Sequence, residues 1–327
     1  MSYTYDPAAH TLTIKRRTGY EDVLNSSVPL NEVRIFRDTS DYSDIPTPDD
    51  FPLPGVEEAY FEATLIQPPR FSLPATCKLY VQLGNSSPFD EGQKVQAIAP
   101  IDSIYPWFEV PGVEVLQLHK FGAASTPPPP SSVKHLLLAE CEGLQGPLPQ
   151  SVETFVLEHS IYTDGEQLDI EDLIDSLPRT LQSFAMTAFR SEIQGEILEG
   201  LTDFEQLRTL CVPAFLMPED LWGALPVSLE NLAIDMFEGD VDVPGIVEQL
   251  IEATEERPAL RRILVQGQEL EDEQKEDLER ACLENNVVVT FSDRLASFGW
   301  WAQTNAPHLY WEERPDVHAF EFRTEPF

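Results

Sequence analysis

A chain of 327 residues with 42% hydrophobic content is long enough to bury the core of one large domain or two ordinary ones. Against 57 Asp and Glu residues stand only 21 Lys and Arg residues, which gives a formal net charge of −36. This acid excess argues against unaided binding to nucleic acid or to an anionic membrane surface, where affinity comes from neutralising phosphates.

The first 29 residues are interpreted as an N-terminal cap. They contain no apolar h-region of a secretory signal, and no stretch of the chain approaches the roughly 20 apolar residues that span a bilayer. The four cysteines lie far apart without a CxxC pair, which fits neither a zinc site nor a dense disulfide framework. The sequence therefore predicts a soluble protein of the reducing cytoplasm that does not associate with membranes.

An apolar register recurs along the chain, mainly between residues 30 and 291, in which one apolar residue is followed by others three and five positions later. Clean copies begin at Leu30, Val113, Val133, Val152, Leu181, Leu207, Leu229 and Leu260, and weaker ones at Ala9, Val56 and Cys77. A short phrase precedes several copies, as in LPQSV at 148–152, LPRTL at 177–181 and LPVSL at 225–229. Because proline fixes φ, Pro149, Pro178 and Pro226 are predicted to end the segment before the next strand.

The register and the phrase together resemble those of leucine-rich repeat proteins, and the LPxSL phrase is similar to the repeats of bacterial effectors and to FNIP repeats. The resemblance covers roughly residues 30 to 291. It implies an α/β solenoid with a curved parallel sheet inside and helices, or 3-10 and extended segments, outside. The middle residue of each copy is expected to be buried in line with its counterparts; these residues are Leu136, Phe155, Phe184, Leu210, Leu232 and Ile263.

Three stretches on the outer side carry the apolar spacing of a helix. They are marked by Ile170, Leu173, Ile174 and Leu177, by Ile246, Leu250 and Ile251, and by Leu270, Leu278 and Cys282. Apolar residues at these intervals lie along one stripe of a helix, with Asp and Glu on the opposite side. We therefore expect an amphipathic helix in each stretch.

The last segment, residues 292–327, is rich in aromatic residues, including Trp300, Trp301, Tyr310 and Trp311. A solenoid leaves apolar surface at its open end and needs a cap. The segment is therefore interpreted as an aromatic C-terminal cap. A docking patch is the alternative, since exposed aromatic residues anchor interfaces.

The motifs of common enzyme classes are absent from the sequence. The six histidines form no HExxH or HxH pair, and no GxSxG elbow, GxxxxGK[ST] loop or GxGxxG fingerprint is present. None of the cysteines has an Asp two residues later, as the ligase domains of some bacterial repeat effectors do. We therefore expect no enzyme activity, no cofactor and no metal site.

Function is then expected on the inner surface, where residues that flank the strand leucines point away from the core. The partner-binding candidates are His119, Lys134, His135, Glu153, Glu158, His159, Arg208, Glu230, Asp235 and Arg261. The same surface is predicted to include Val156, Ala185, Cys211, Ala233 and Leu264. Of the three histidines among the candidates, His135 and its neighbours could form a pH-sensitive patch or serve only as soluble surface.

The acidity is strongest in residues 161–290, which carry 30 Asp and Glu residues against 8 Lys and Arg residues. Such a field would steer a basic partner, although general solubility or adaptation to high salt would also explain it. The sequence thus favours a non-enzymatic scaffold that binds a basic protein through its inner strand surface. The alternatives are an inhibitor or immunity-type protein for a basic enzyme or toxin, and a carboxylate-dependent enzyme. The sequence leaves the oligomeric state open.

Overall fold

The fold is α/β, built from short and mostly parallel strands that alternate with turns, 3-10 segments and helices. The structure is a computed structural model that describes residues 1–40, 47–63, 70–74, 76–84, 112–119, 132–139, 148–158, 168–187, 193–194, 200–217, 225–236, 242–267 and 270–292. The chain divides into two compact units, Met1–Ser151 and Val152–Phe327. Residues 293–327 of the aromatic segment lie outside the described residues, so the role of this segment as a cap stays a prediction.

The N-terminal unit contains one sheet whose strands follow the order of the chain. Its elements are β1 (Tyr3–Asp6), β2 (Thr11–Ile14), α1 (Gly19–Leu24), a 3-10 turn (Leu30–Glu32), β3 (Ile35–Asp38), β4 (Glu58–Ala63), β5 (Lys78–Gly84), β6 (Val113–His119) and β7 (His135–Ala139). β1 and β2 pair antiparallel, and each later strand pairs in parallel with the one before it. The parallel pairing therefore begins at β2.

The C-terminal unit repeats this arrangement and adds longer helices. Its elements are β8 (Thr154–Glu158), β9 (Leu168–Asp169), α2 (Ile170–Ser176), β10 (Ser183–Thr187), β11 (Ile193–Gln194), two 3-10 turns (Leu201–Asp203 and Ala214–Leu216), β12 (Thr209–Pro213), β13 (Asn231–Asp235), α3 (Val243–Glu256), β14 (Arg262–Gln266), α4 (Asp272–Glu284) and β15 (Val288–Ser292). β8, β10, β12, β13, β14 and β15 pair in parallel in that order. β9 and β11 form a separate parallel pair.

The predicted burial of the core residues is confirmed, and so is their alignment within the C-terminal unit. Leu136, Phe155, Phe184, Leu210, Leu232 and Ile263 are each exposed by no more than 1%. In the C-terminal unit the register places Phe155 beside Phe184 and continues through Leu210 and Leu232 to Ile263. The rings of Phe155 and Phe184 lie parallel, with centroids 5.9 Å apart, so adjacent strands are held by direct stacking as well as by backbone hydrogen bonds.

The proline phrase has a structural role in the turn before a strand. The carbonyl oxygens of Pro178 and Pro226 accept hydrogen bonds from the amides three residues later, at 3.0 and 3.2 Å. The Ser228 hydroxyl then donates to the carbonyl oxygen of Leu207 at 2.8 Å, and the Ser151 hydroxyl donates to that of Val133 at 2.7 Å. The phrase closes a turn and ties it to the preceding copy, because each accepting residue is the first apolar residue of that copy.

The three predicted helices are confirmed as α2, α3 and α4. Leu173 and Ile174 are buried along α2 and Leu177 directly after it, Ile246 and Leu250 along α3, and Leu278 and Cys282 along α4. Ile251 differs from the prediction, because it lies half-buried at the side of the apolar stripe. The Asp242 side chain accepts from the Gly245 amide at 3.2 Å to begin α3, and the Glu271 amide donates to Gln274 Oε1 at 3.0 Å to begin α4.

The predicted start of one copy, at Leu30, is wrong, because the copy begins three residues later. The register of β3 places Phe36 beside Leu12 of β2 and Ala59 of β4. Val33 and Phe36 are fully buried, so this copy begins at Val33. Its third core position is then Asp38, a carboxylate that is 1% exposed. The apolar register does not reveal this copy, because its third core position is a carboxylate, which is paired with the buried Arg17.

Candidate functional site

Three of the partner-binding candidates lie in one row at the edge of the C-terminal sheet where its strands begin. Arg208, Glu230 and Arg261 immediately precede β12, β13 and β14, respectively. The Glu230 amide donates to the Arg208 carbonyl oxygen at 2.8 Å, and the Arg261 amide donates to that of Glu230 at 2.7 Å. The backbone ladder therefore stacks the three residues on consecutive strands.

These residues border an open, polar cavity of about 430 Å³, called here the arginine cavity. Its lining consists of the residue pairs at the start of four strands: Gln182, Ser183, Arg208, Thr209, Glu230, Asn231, Arg261 and Arg262. Every lining side chain is polar. Such a cavity favours a polar or charged ligand over an apolar one.

The charges in the arginine cavity are only partly compensated. Nη1 of Arg208 lies 3.5 Å from Oε1 of Glu230, with the two side chains 64% and 42% exposed. Nη1 of Arg261 donates to the carbonyl oxygens of Pro258 and Leu260 at 2.8 and 3.1 Å. The exposed side chain of Arg262 forms no hydrogen bond or ion pair within the described residues. The cavity thus holds three guanidinium groups and one carboxylate.

The floor of the arginine cavity is made of short polar side chains that the strands bury. Ser183 is 6% exposed and Thr209 is 2% exposed. The Asn231 side chain donates from Nδ2 to the Thr209 hydroxyl oxygen at 3.1 Å. Because Thr209 and Asn231 lie on adjacent strands, this hydrogen bond holds both side chains of the floor in place.

The other candidates lie elsewhere in the chain. In the N-terminal unit, β6 ends at His119, β7 begins at His135, and Lys134 Nζ lies 3.7 Å from Glu114 Oε1. In the C-terminal unit, Glu153 precedes β8, β8 ends at Glu158, and Asp235 ends β13 with 8% exposure. His159 lies outside the described residues. The structure thus brings Arg208, Glu230 and Arg261 together, and a partner-binding role stays a prediction for all ten.

The central row of the proposed inner surface does not face solvent. Val156, Ala185, Cys211, Ala233 and Leu264 were expected to point away from the core, yet each is exposed by 7% or less. All five residues of β12 are buried. Strands buried on both faces of a parallel sheet have continuous apolar runs, and runs such as LCV, LAI and ILV in this sequence are of that kind. An open inner face would have required alternation with polar residues.

Sequence reasoning missed Arg262 and the polar floor. Arg262 follows Arg261 directly, and the pair interrupts an acidic region, which was a usable signal. In the N-terminal unit it also missed Arg37, whose guanidinium carbon lies 5.0 Å from the centroid of the Tyr60 ring. The Tyr60 hydroxyl donates to Glu58 Oε2 at 2.7 Å. This group was missed because the copy on β3 was placed three residues too early and the copy on β4 matches the apolar register weakly.

The described cysteine thiols are protonated at neutral pH. Burial, followed by the negative charge of Asp235, raises the pKa of Cys211 to about 12. Burial and Glu58 raise the pKa of Cys77 to about 12, and burial and Glu279 raise that of Cys282 to about 11. The thiolate is the nucleophilic form of cysteine, so these three buried thiols are poor nucleophiles at neutral pH and act as packing groups.

The described part of the chain contains neither a metal-binding cluster nor a membrane-spanning helix. No group of three or more His, Cys, Asp or Glu residues there is arranged to hold a metal ion. None of the helices in those segments has the length and apolarity needed to cross a membrane.

Comparison with known proteins finds no matching family model, no matching curated protein and no matching solved structure. The resemblance to leucine-rich repeats therefore rests on the sequence pattern.

Proposed function

We propose that this chain is a non-enzymatic recognition scaffold of the leucine-rich repeat type, which binds a basic protein. The observation that carries the proposal is the row Arg208, Glu230 and Arg261, in which polar side chains from consecutive strands line an open cavity. A surface assembled from equivalent positions of neighbouring strands is the kind that repeat proteins use for binding.

The solenoid architecture is supported by strand order and by the turns. Within each unit the parallel strands follow the order of the chain. The serine of the proline phrase binds the preceding copy in both units. A stack of equivalent turns, each joined to the last by the same side chain, is what a solenoid requires.

The basic character of the partner is supported by the distribution of acids on the helices of the C-terminal unit. α3 and α4 pack against each other. Their exposed carboxylates are Glu248, Glu252, Glu255 and Glu256 on α3, and Asp272, Glu273, Glu276, Glu279 and Glu284 on α4. Carboxylates concentrated on paired helices produce a directed field, whereas a general adaptation for solubility would spread them evenly.

The two surfaces have separate tasks in this proposal. The acidic helices raise the rate at which a basic protein arrives, because long-range attraction acts before contact. The strand edge then supplies short-range contacts that select the partner. Arg208, Glu230 and Arg261 would determine the dissociation rate, whereas the helical acids would determine the association rate and its dependence on salt.

The test begins with capture of partners from the source cells at low and high salt, followed by reconstitution from purified components. Two variants are compared with the parent. The helix variant neutralises three acids on α3 and α4: Glu248→Gln, Glu255→Gln and Glu276→Gln. The control variant neutralises three exposed acids in the N-terminal unit: Glu21→Gln, Glu32→Gln and Asp50→Asn.

We expect a stoichiometric complex with a basic protein, whose association rate falls several-fold in the helix variant and much less in the control. Arg208→Ala combined with Glu230→Ala should mainly accelerate dissociation. If the captured protein is an enzyme that loses activity in the complex, the chain is an inhibitor. The proposal is overturned if only acidic proteins bind, or if both neutralised variants behave alike.

A further inference from the structure

The arginine cavity has the opposite charge to the chain that contains it. The whole chain has 57 acidic and 21 basic residues, yet the cavity holds Arg208, Arg261 and Arg262 against the single carboxylate of Glu230. Like charges on neighbouring side chains repel each other unless a counter-charge lies between them. Three guanidinium groups around one cavity therefore indicate a place for a further negative charge.

Most of the hydrogen-bond donors of these arginines are unused within the described residues. A guanidinium has five N–H donors in a rigid fork that matches carboxylate and phosphate oxygens. Arg262 uses none of its side-chain donors in this part of the chain, and Arg208 has one carboxylate contact, at 3.5 Å. All three arginines are exposed and line the open cavity, so an oxyanion in the cavity can approach their remaining donors.

The cavity is also partly preorganised. Arg261 is anchored through Nη1 to the carbonyl oxygens of Pro258 and Leu260, so its guanidinium has lost part of its freedom before any ligand arrives. The floor at Thr209 and Asn231 is fixed by a hydrogen bond between the two side chains. A site whose donors are held in place has less entropy to lose on binding.

We propose that the arginine cavity binds a small multivalent oxyanion, a molecule with two or more carboxylate or phosphate groups. Arg208 and Arg261 belong to strands separated by β13, so their backbones lie about 10 Å apart, at roughly 4.8 Å per strand. Two linked anionic groups can engage guanidinium groups on strands this far apart at the same time. A volume of about 430 Å³ is in the range of small-molecule sites, roughly 300–1,000 Å³.

A small ligand fits the electrostatics better than an acidic protein does. The field of the whole chain repels a large acidic partner over its entire surface. A small anion at physiological salt responds mainly to charges within about 8 Å, because ions screen the rest. Among the residues that line the cavity, the positive charges of the three arginines outweigh the single negative charge of Glu230. The arginine cavity includes the strand-edge row assigned above to short-range partner contacts, but binding of a small anion there does not depend on the attraction of a basic protein to the acidic helices.

Titration calorimetry of the full chain tests the site with citrate and with pyrophosphate, at constant ionic strength. Acetate and chloride serve as monovalent controls. The variants Arg208→Gln, Arg261→Gln and Arg262→Gln should each weaken binding by about tenfold, which corresponds to the loss of one charge-assisted contact. The matched control is Arg280→Gln on α4, whose side chain is 66% exposed and pairs with Asp277 outside the cavity.

A further variant has an effect in the opposite direction. Glu230→Gln removes the carboxylate that competes for Arg208, so citrate and pyrophosphate should bind several-fold more tightly. A variant that merely damaged the fold would not produce tighter binding. Arg261→Gln also removes the anchor on Pro258, so Arg262→Gln remains informative if the Arg261 variant proves unstable.

Three outcomes would overturn the proposal. The first is the absence of saturable binding of either multivalent anion by the parent chain. The second is equal weakening by Arg280→Gln and by the cavity variants, which would mean nonspecific attraction. The third is binding of a polyglutamate peptide without binding of citrate or pyrophosphate, which would identify an acidic protein segment as the occupant. None of these results bears on whether a basic protein binds the helices.

Discussion

Arg17 and Asp38 form an ion pair inside the apolar core of the N-terminal unit. Nη1 of Arg17 donates to Oδ2 of Asp38 at 3.0 Å, and the two side chains are 2% and 1% exposed. The same carboxylate accepts the Tyr20 hydroxyl at 2.6 Å and the Ser40 amide at 3.0 Å. Since Tyr20 lies on α1 and Asp38 ends β3, the carboxylate joins the helix to the sheet.

Removal of one member of this pair should be strongly destabilising. We expect Asp38→Asn or Arg17→Met to lower the free energy of unfolding by about 3–5 kcal/mol, because each leaves a buried charge without its partner. Urea denaturation would measure the loss. The double variant Arg17→Met with Asp38→Leu should recover much of it, because no charge is then buried. A double variant no more stable than the singles would contradict this account.

The Ser228 hydroxyl should contribute measurably to stability. Ser228→Ala removes the hydrogen bond to the Leu207 carbonyl oxygen and should cost about 1 kcal/mol. The neighbouring Val227 is 72% exposed, so Val227→Ala is a control in the same turn and should change stability little. Equal effects of the two substitutions in thermal or urea unfolding would show that the hydroxyl contributes nothing specific.

Leu232 tests the core column. It is 1% exposed and lies between Leu210 and Ile263 on the adjacent strands, so Leu232→Ala should cost about 2–5 kcal/mol through lost burial and the cavity left behind. Leu283 is 80% exposed on α4, and Leu283→Ala should be nearly neutral. An unchanged unfolding midpoint for the Leu232 variant would remove this residue from the core.

Cys211 should make the protein less stable in alkali. Burial and the charge of Asp235 raise its folded pKa from the ordinary 9.0 to about 12. Below pH 9 both states hold the proton, so stability is unaffected. As pH rises from about 9 towards 12, only the unfolded thiol ionises, and stability falls by at most about 1.4 kcal/mol per pH unit. Urea midpoints of Cys211→Ala should decline less over this range than those of the parent, and parallel declines would exclude the effect.

The sequence pattern predicts the core column well because apolar spacing reports burial directly. Phe184 and Leu210 follow the same spacing and lie side by side in the structure. The pattern fails at Asp38, because a buried carboxylate breaks an apolar register even where the backbone continues it. The register of β3 became clear only when its pairing with β2 and β4 was known.

The candidate site was predicted in part for a related reason. Arg208, Glu230 and Arg261 occupy equivalent positions in their copies, so a periodic reading brings them together. Their orientation and the anchoring of Arg261 on Pro258 depend on local turn geometry that spacing does not encode. The burial of Cys211 and Leu264 was missed because the family resemblance implies an open inner face, whereas the residues themselves form continuous apolar runs.

The bonds from Ser151 to Val133 and from Ser228 to Leu207 have a consequence for how the chain can change its length. Each bond reaches back by a single copy, over 18 and 21 residues, and involves a backbone acceptor that every amino acid provides. If one copy were duplicated or deleted, the serine of the following copy would meet a different preceding copy. Its hydroxyl could still donate to a backbone carbonyl oxygen there. The hydrogen bond between copies therefore sets no particular number of copies, because each bond needs only the copy directly before it.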